Sequence, residues 1–309
     1  MTALDTRAGT AHTASPHGRS ARRPRRNRRY LIFLAPAFAL FAAFQIYPIG
    51  RSLILSFQTR ERGVMVWDGF DNYTRLLSDP SFALALGNTF LILLVQVPIM
   101  LTVAFVLAAA LHSSFVRFKQ GFRLLYFLPA VTALLAYAVV FRTLLNGDST
   151  VLNQFLGFIG VEPIDWLGDP FWARVSLIAS VTWRWTGYNM VIFLAGLSAI
   201  DASLKEAAAI DGADAFQSFR LITVPLLRPV ILFTVTTSTI GALQLFDEAY
   251  ILTKGGPSGA TLTIVLYLYR TAFKSLDFGY ASAMAYVLVI IVMVLAIVQM
   301  RLLRTKDDE

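Results

Sequence analysis

Apolar residues run along this chain in blocks rather than in alternation, and six blocks approach the roughly 20 residues that an α-helix needs to cross a bilayer. Leu31 to Gly50 contains no charge. Pro80 to Val116 is uncharged apart from His112 and is too long for one span. Its start (Pro80, Ser81, Gly87, Asn88) therefore reads as an approach, and its core as Asn88 to Leu111. Leu124 to Phe141 is a third block, and Val175 to Ile200 a fourth, interrupted only by Arg184. Pro229 to Phe246 continues through Asp247 and Glu248 to about Ile251 as a fifth, and Phe278 to Met300 is the sixth. The pattern predicts an all-α membrane protein, a bundle of six transmembrane helices over residues 30–300.

Composition agrees. Of 309 residues, 56% are hydrophobic and 15% charged, where a soluble domain carries roughly 45–50% and a quarter. A surface so short of charge excludes a water-soluble globule. With no Cys, a disulfide scaffold and a cysteine nucleophile are excluded as well. The net charge of +8 is informative through its position. If both termini are cytoplasmic, the inner segments hold 17 of the 27 Lys and Arg, including Arg117, Lys119 and Arg123 in one loop and Lys205, Arg220 and Arg228 in another; the outer segments hold nine. Basic loops resist translocation, so this asymmetry predicts both ends inside. Residues 1–29, with Arg22, Arg23, Arg25, Arg26, Arg28 and Arg29, are expected to be a disordered tail held by anionic membrane lipids, with no nucleic acid as partner. Residues 301–309 form a second cytoplasmic tail. An export signal has an apolar region of only about 7–15 residues, so the first helix is expected to be retained.

Between the fourth and fifth spans lies a polar segment, residues 201–225, that parses as two short helices. Ser203 with Glu206 reads as a capping box, Ala207 to Ala209 favour helix, and Gly212 can take the left-handed conformation that ends it. Asp211 or Asp214 can cap the second helix, where Phe216, Phe219 and Ile222 recur every three residues until Pro225 closes it. Such an amphipathic hook on a bundle suits the docking of a soluble partner.

Glu206-Ala207-Ala208, Asp211-Gly212-Ala213 and Ile222-Thr223-Val224-Pro225, at this spacing, resemble the EAA loop in permease subunits of binding-protein-dependent ABC importers. Thr253-Lys254-Gly255-Gly256-Pro257, then Tyr267, Tyr269, Arg270, Ala272 and Phe273, then Phe278-Gly279-Tyr280-Ala281 are similar to the carbohydrate branch, the maltose and lactose permeases, as is Asp71-Asn72-Tyr73. The resemblance implies a bacterial inner-membrane transport subunit rather than an enzyme. It implies as partners a second homologous permease subunit, two copies of an ABC ATPase that dock on the EAA loops through Glu206, Ala207, Ala208, Asp211, Gly212 and Pro225, and an extracytoplasmic binding protein that delivers a sugar. ATP and Mg would belong to the ATPase: the chain has no G-x-x-x-x-G-K-[ST] phosphate loop and is expected to bind no cofactor or metal itself.

Charge within lipid is costly, so polar groups inside spans face protein or a water-filled pathway. Trp185, Tyr188 and Asn189 share one face of the fourth span, with Arg184 about one turn from Tyr188. This resembles the sugar-contacting stretch of maltose-type permeases, and the alternative for these residues is packing and a structural arginine. In the fifth span Thr234, Thr237, Gly241, Gln244 and Glu248 fall within about 80° of one another on a helix, with Asp247 about 60° to the side. The threonines read as helix glue; Gln244, Asp247 and Glu248 suggest a solvated vestibule. A rival class, an ion-coupled carrier using Arg184, Asp247 and Glu248, leaves the loop at 201–225 unexplained.

Overall fold

The structure, a computed structural model, describes residues 29–61, 63–113, 116–147 and 150–303. The basic tail lies outside the described residues apart from Arg29, as does the C-terminal tail beyond residue 303. The chain divides into two compact units, residues 1–49 and 50–309.

In the first unit, helix α1 (Arg29–Phe41) passes through a π-turn (Ala42–Ile46) into α2 (Tyr47–Ser56), whose later residues open the second unit. Phe33, Phe38 and Phe44 are exposed, as expected of a helix whose solvent is not water.

In the second unit, β1 (Gln58–Glu61) and β2 (Val64–Trp67) form an antiparallel hairpin that turns through Gly63 at φ +89°. Then follow α3 (Asp71–Ser78), α4 (Pro80–His112), α5 (Lys119–Val131), α6 (Leu134–Leu145), α7 (Val151–Phe158) and α8 (Pro170–Ser198). The segment after α8 holds α9 (Ala202–Ile210) and α10 (Ala215–Ser218), which runs through a π-turn (Phe219–Thr223) into α11 (Val224–Leu243). The chain ends in α12 (Asp247–Leu252), α13 (Ile264–Tyr269) with a π-turn (Arg270–Lys274), and α14 (Phe278–Leu303).

Among the described residues four helical segments are long and apolar enough to cross a membrane: Phe33–Ser56, Pro80–His112, Ala215–Leu252 and Phe278–Leu302. Two bent pairs bring the number to as many as six, if each is one span: α5 with α6, bent by 95°, and α8 with α9, bent by 70°. Six candidate spans thus match six apolar blocks, with four corrections. The second helix starts at Pro80, because the Asp79 side chain caps it by accepting from the Ser81 N–H at 2.8 Å, and the proline at the first position needs no donor. The third block breaks after Val131, where the Thr132 hydroxyl takes the Leu128 carbonyl at 2.8 Å. The fifth block is not one helix; it ends at Leu243 and restarts at Asp247. Pro225 closes nothing, since helix continues from Ala215 to Leu243 through it. The wide π-turn just before Pro225 accommodates the ring that a regular turn would drive into a carbonyl.

α4 and α8 pack along much of their length and, with α11, enclose the main apolar core, which includes Met100, Ala104, Ala108, Met190, Phe193, Leu197 and Leu227. α5 lies against α8 so closely that Gly187 of α8 meets the backbone carbonyl of Tyr126. Only a residue without a side chain fits there.

The hairpin end is tied together by polar contacts. Asn72 donates to the Ser56 and Gln58 carbonyls at 3.1 and 3.0 Å, and Asn88 donates to the Gly259 and Leu262 carbonyls at 2.8 and 3.1 Å. Asp79 accepts from the Tyr267 and Tyr280 hydroxyls, both at 2.6 Å, joining α4 to α13 and α14. Arg75 reaches Asp277 at 2.8 Å and lies over the Tyr280 ring. Partial burial works against the Asp79 carboxylate, but the hydrogen bonds from the two tyrosines and the helix start outweigh it and hold its pKa below the ordinary value. Burial, reinforced by the same carboxylate, pushes Tyr267 up to about 12. Trp67 and Phe70 cluster with Phe57 and Tyr73 yet stay exposed, as suits aromatics at a membrane interface.

Candidate functional site

The break in the fifth block shapes the site. A helix continuing past Leu243 would use the Leu245 carbonyl internally; here the Thr263 hydroxyl takes it at 2.7 Å. Breaks at membrane depth persist only where such partners satisfy the backbone. The chain bends, and α12 presents Asp247 and Glu248 in its first turn toward α8.

There Arg184 Nη1 donates to Glu248 Oε1 at 3.0 Å, with side-chain exposures of 11% and 6%. The guanidinium also stands 5.1 Å from the Tyr137 ring centre and 5.4 Å from that of Trp185, in cation–π range. Trp185 and Tyr188 meet edge to face at 5.9 Å. Asn189 is buried, donates to the Trp185 carbonyl at 3.1 Å, and accepts from Ser238 of α11 at 3.4 Å.

Apart from Tyr137, these groups surround one cavity of about 430 Å³ between α4, α8, α11 and α12. All seven residues singled out for the pathway line it: Arg184, Trp185, Tyr188 and Asn189 from α8, and Gln244, Asp247 and Glu248 from the broken fifth block. Thr237 and Gly241 join them. Thr234 does not; it is fully buried and its hydroxyl returns to its own helix at the Val230 carbonyl, 2.9 Å away. Asp247, to the side of the stripe on a regular helix, reaches the cavity because the helix is interrupted. Residue reasoning missed Gln96 and Met100 of α4 and Ser238 of α11. Gln96 carried a signal, a lone amide in the middle of an uncharged span. It is buried and donates to the Met100 sulfur at 3.2 Å.

The segment at 201–225 folds as two short capped helices, with different partners at its start. Asp201 rather than Ser203 caps α9, accepting from the Ser203 N–H at 3.0 Å, and these hydrogen bonds hold the Asp201 pKa below its ordinary value. With the carboxylate two residues earlier serving as the cap, Ser203 is already inside the helix, so Glu206 takes no part in a capping box and stands exposed. At the other end Gly212 adopts φ +85°. Its N–H donates to the Ala209 carbonyl at 3.2 Å and that of Ala213 to the Ala208 carbonyl at 2.9 Å, the Schellman arrangement. Of the two candidates, Asp214 caps α10, in a capping box with Gln217 at 2.7 and 3.0 Å. Ala207 and Asp211 are exposed, Ala208 is buried and Pro225 half-buried. Ile210, Phe216 and Leu221 expose apolar surface, while Phe219 anchors the segment on Phe105 of α4 at 5.8 Å.

The family described as binding-protein-dependent transport system inner membrane component matches residues 30–306. The chain belongs to that family. It is a multi-pass membrane transport subunit, not an enzyme. Among similar proteins, the lactose transport system permease protein LacF of Rhizobium radiobacter is 49% identical over 273 residues, 87% of this chain and 91% of that protein. The arabinooligosaccharides transport system permease protein AraP of Bacillus subtilis (strain 168) is 35% identical over 279 residues, 88% of this chain and 87% of that protein. A bacterial ABC transporter involved in the import of the acidic polysaccharide alginate contains a chain of the same fold, with TM-score 0.79 at 23% identity over 90% of this chain and 96% of that one.

Proposed function

We propose that this permease forms half of the pathway of an ATP-driven importer of a sugar, and that the solute passes through the cavity on α8, α11 and α12. The observation that carries the reading is the lining: aromatic faces of Trp185 and Tyr188 suited to the C–H surface of a pyranose, beside amides and hydroxyls of Gln96, Asn189, Ser238 and Gln244. About 430 Å³ lies within the roughly 300–1,000 Å³ of small-molecule sites. The sugars named for LacF and AraP support a saccharide substrate.

In this reading a second, homologous permease completes the pathway, an extracytoplasmic binding protein delivers the sugar, and two ATPase subunits hold ATP and Mg. Both termini are cytoplasmic, as the distribution of Lys and Arg favours. The ATPases seat α9 and its turn, through Glu206, Ala207, Ala208, Asp211 and Gly212, with Pro225 at the helix that carries the motion into α11. The rigid caps and the exposed Ile210 and Phe216 support that docking.

ATP-dependent uptake of radiolabelled lactose by proteoliposomes containing the whole transporter tests the reading. Tyr188→Ala and Gln244→Ala should each reduce uptake at least tenfold while leaving assembly and basal ATPase intact. Normal uptake in both would make those residues packing.

A further inference from the structure

The cavity holds one guanidinium, and it is already committed. Arg184 donates to Glu248 at 3.0 Å, and Glu248 is 5% exposed, so the pair sits inside the wall rather than facing the opening. Its neighbour Asp247 is exposed, lines the same cavity and has no ion pair among the described residues. Among the described residues no Lys or His lines the space. The wall thus sets two carboxylates against one cation and otherwise offers amides, hydroxyls, a thioether and ring faces.

An anionic solute entering here meets the open Asp247 carboxylate with no free cation to receive it. The charge of Arg184 is already offset by Glu248, so an anion reaching its remaining N–H groups would gain no net cation and would compete with a buried carboxylate for its partner, which is unfavourable. A neutral polyol has neither difficulty. We propose that this cavity takes neutral saccharides and turns acidic ones away, with Glu248 as the specificity-determining residue because it occupies Arg184. The saccharide half of the statement rests on the function proposed above; the charge half rests on the lining alone.

The absence of Cys in this chain allows a direct test. Thr237, exposed on the cavity wall, is replaced (Thr237→Cys) in the whole transporter in nanodiscs. The reporter thiol is then converted to a mixed disulfide, with release of methanesulfinate, by anionic sulfonatoethyl methanethiosulfonate or cationic trimethylammonioethyl methanethiosulfonate, and modification of this chain is read by mass. Ser78→Cys, exposed outside the cavity, is the reference. The ratio of cationic to anionic rates should exceed the reference roughly tenfold. Asp247→Asn should bring it toward the reference, and Glu248→Gln should do the same, because each change leaves one carboxylate against one cation. Adding Arg184→Gln to Glu248→Gln should restore a cationic preference, because Asp247 then remains alone. A parent ratio equal to the reference, or a Glu248→Gln ratio unchanged in an assembled complex, overturns the proposal. Should Glu248→Gln fail to assemble, Asp247→Asn decides it: a ratio unmoved by that change overturns it equally. Protection of the thiol by lactose, maltose or cellobiose tests the saccharide half separately. Protection by none of them removes the saccharide half and leaves the charge ratio to stand or fall by itself.

Discussion

Replacing Gly187 by alanine should loosen the crossing of α5 and α8 and, with it, the face of α8 that carries Arg184 and Tyr188. Gly187 is buried, and a Cβ there falls on the Tyr126 carbonyl and stands 3.0 Å from the Phe127 nitrogen. Both obstacles are backbone, so no side chain can rotate away; the helices must part by something on the order of 1 Å or more to recover ordinary contact distances. Overpacking of this kind costs about 1–3 kcal/mol, and a backbone obstacle belongs at the upper end. Alanine recovers about 1 kcal/mol through its better helix propensity. The net loss is about 2 kcal/mol, a fall in melting temperature of roughly 4 °C for a chain of this size. Thermal melting of the assembled transporter, followed by size-exclusion chromatography, measures it, and uptake should fall several-fold in parallel. Gly87→Ala in α4 is the control, since a Cβ there meets nothing within 4 Å and should leave stability unchanged or slightly raised. If Gly187→Ala melts with Gly87→Ala, at or above the parent, the close crossing carries no energetic weight and the reasoning fails.

Gly212→Val should strain the left-handed turn after α9 by about 1 kcal/mol or more, and Ala208→Trp should block its seating; both should leave the chain inserted while co-purification of the ATPase, or its stimulation by liganded binding protein, is lost. Full coupling in both variants would make the loop a passive linker. For topology, Ser78→Cys and Ser258→Cys should label from outside intact cells with an impermeant maleimide and Ser218→Cys should not; labelling at Ser218 would overturn the orientation. Asp79 has a folded pKa below its ordinary value, so its contribution to stability is full above the ordinary carboxylate range and is lost as pH falls through the lower folded value. Asp79→Asn should therefore melt below the parent at pH 7, the gap closing only under pH 4; a gap that is constant from pH 7 to pH 3 would show that ionisation of Asp79 is irrelevant.

Local sequence determined whatever depends on neighbours along one helix. Apolar blocks of bilayer length had to become spans, because a backbone in hydrocarbon must satisfy its own hydrogen bonds. Trp185, Tyr188 and Asn189 share a face by helical period alone, and polar groups in an apolar block had to turn toward one another, so the cavity's membership was largely legible. The left-handed Gly212 and the cap at Asp214 were legible for the same reason, since each acts within a turn. Tertiary structure decided the rest. Whether the fifth block runs straight or breaks depends on who receives the Leu245 carbonyl, and that partner, Thr263, arrives 18 residues later from a different element. The break in turn chose Glu248 over Asp247 as the partner of Arg184 and brought Asp247 to the cavity wall. Gln96 joined the site because α4 packs against α8, and Gly187 is indispensable only where α5 crosses it. Contacts between elements distant in sequence set these outcomes, and helical period along a single segment carries no information about which segment will lie alongside.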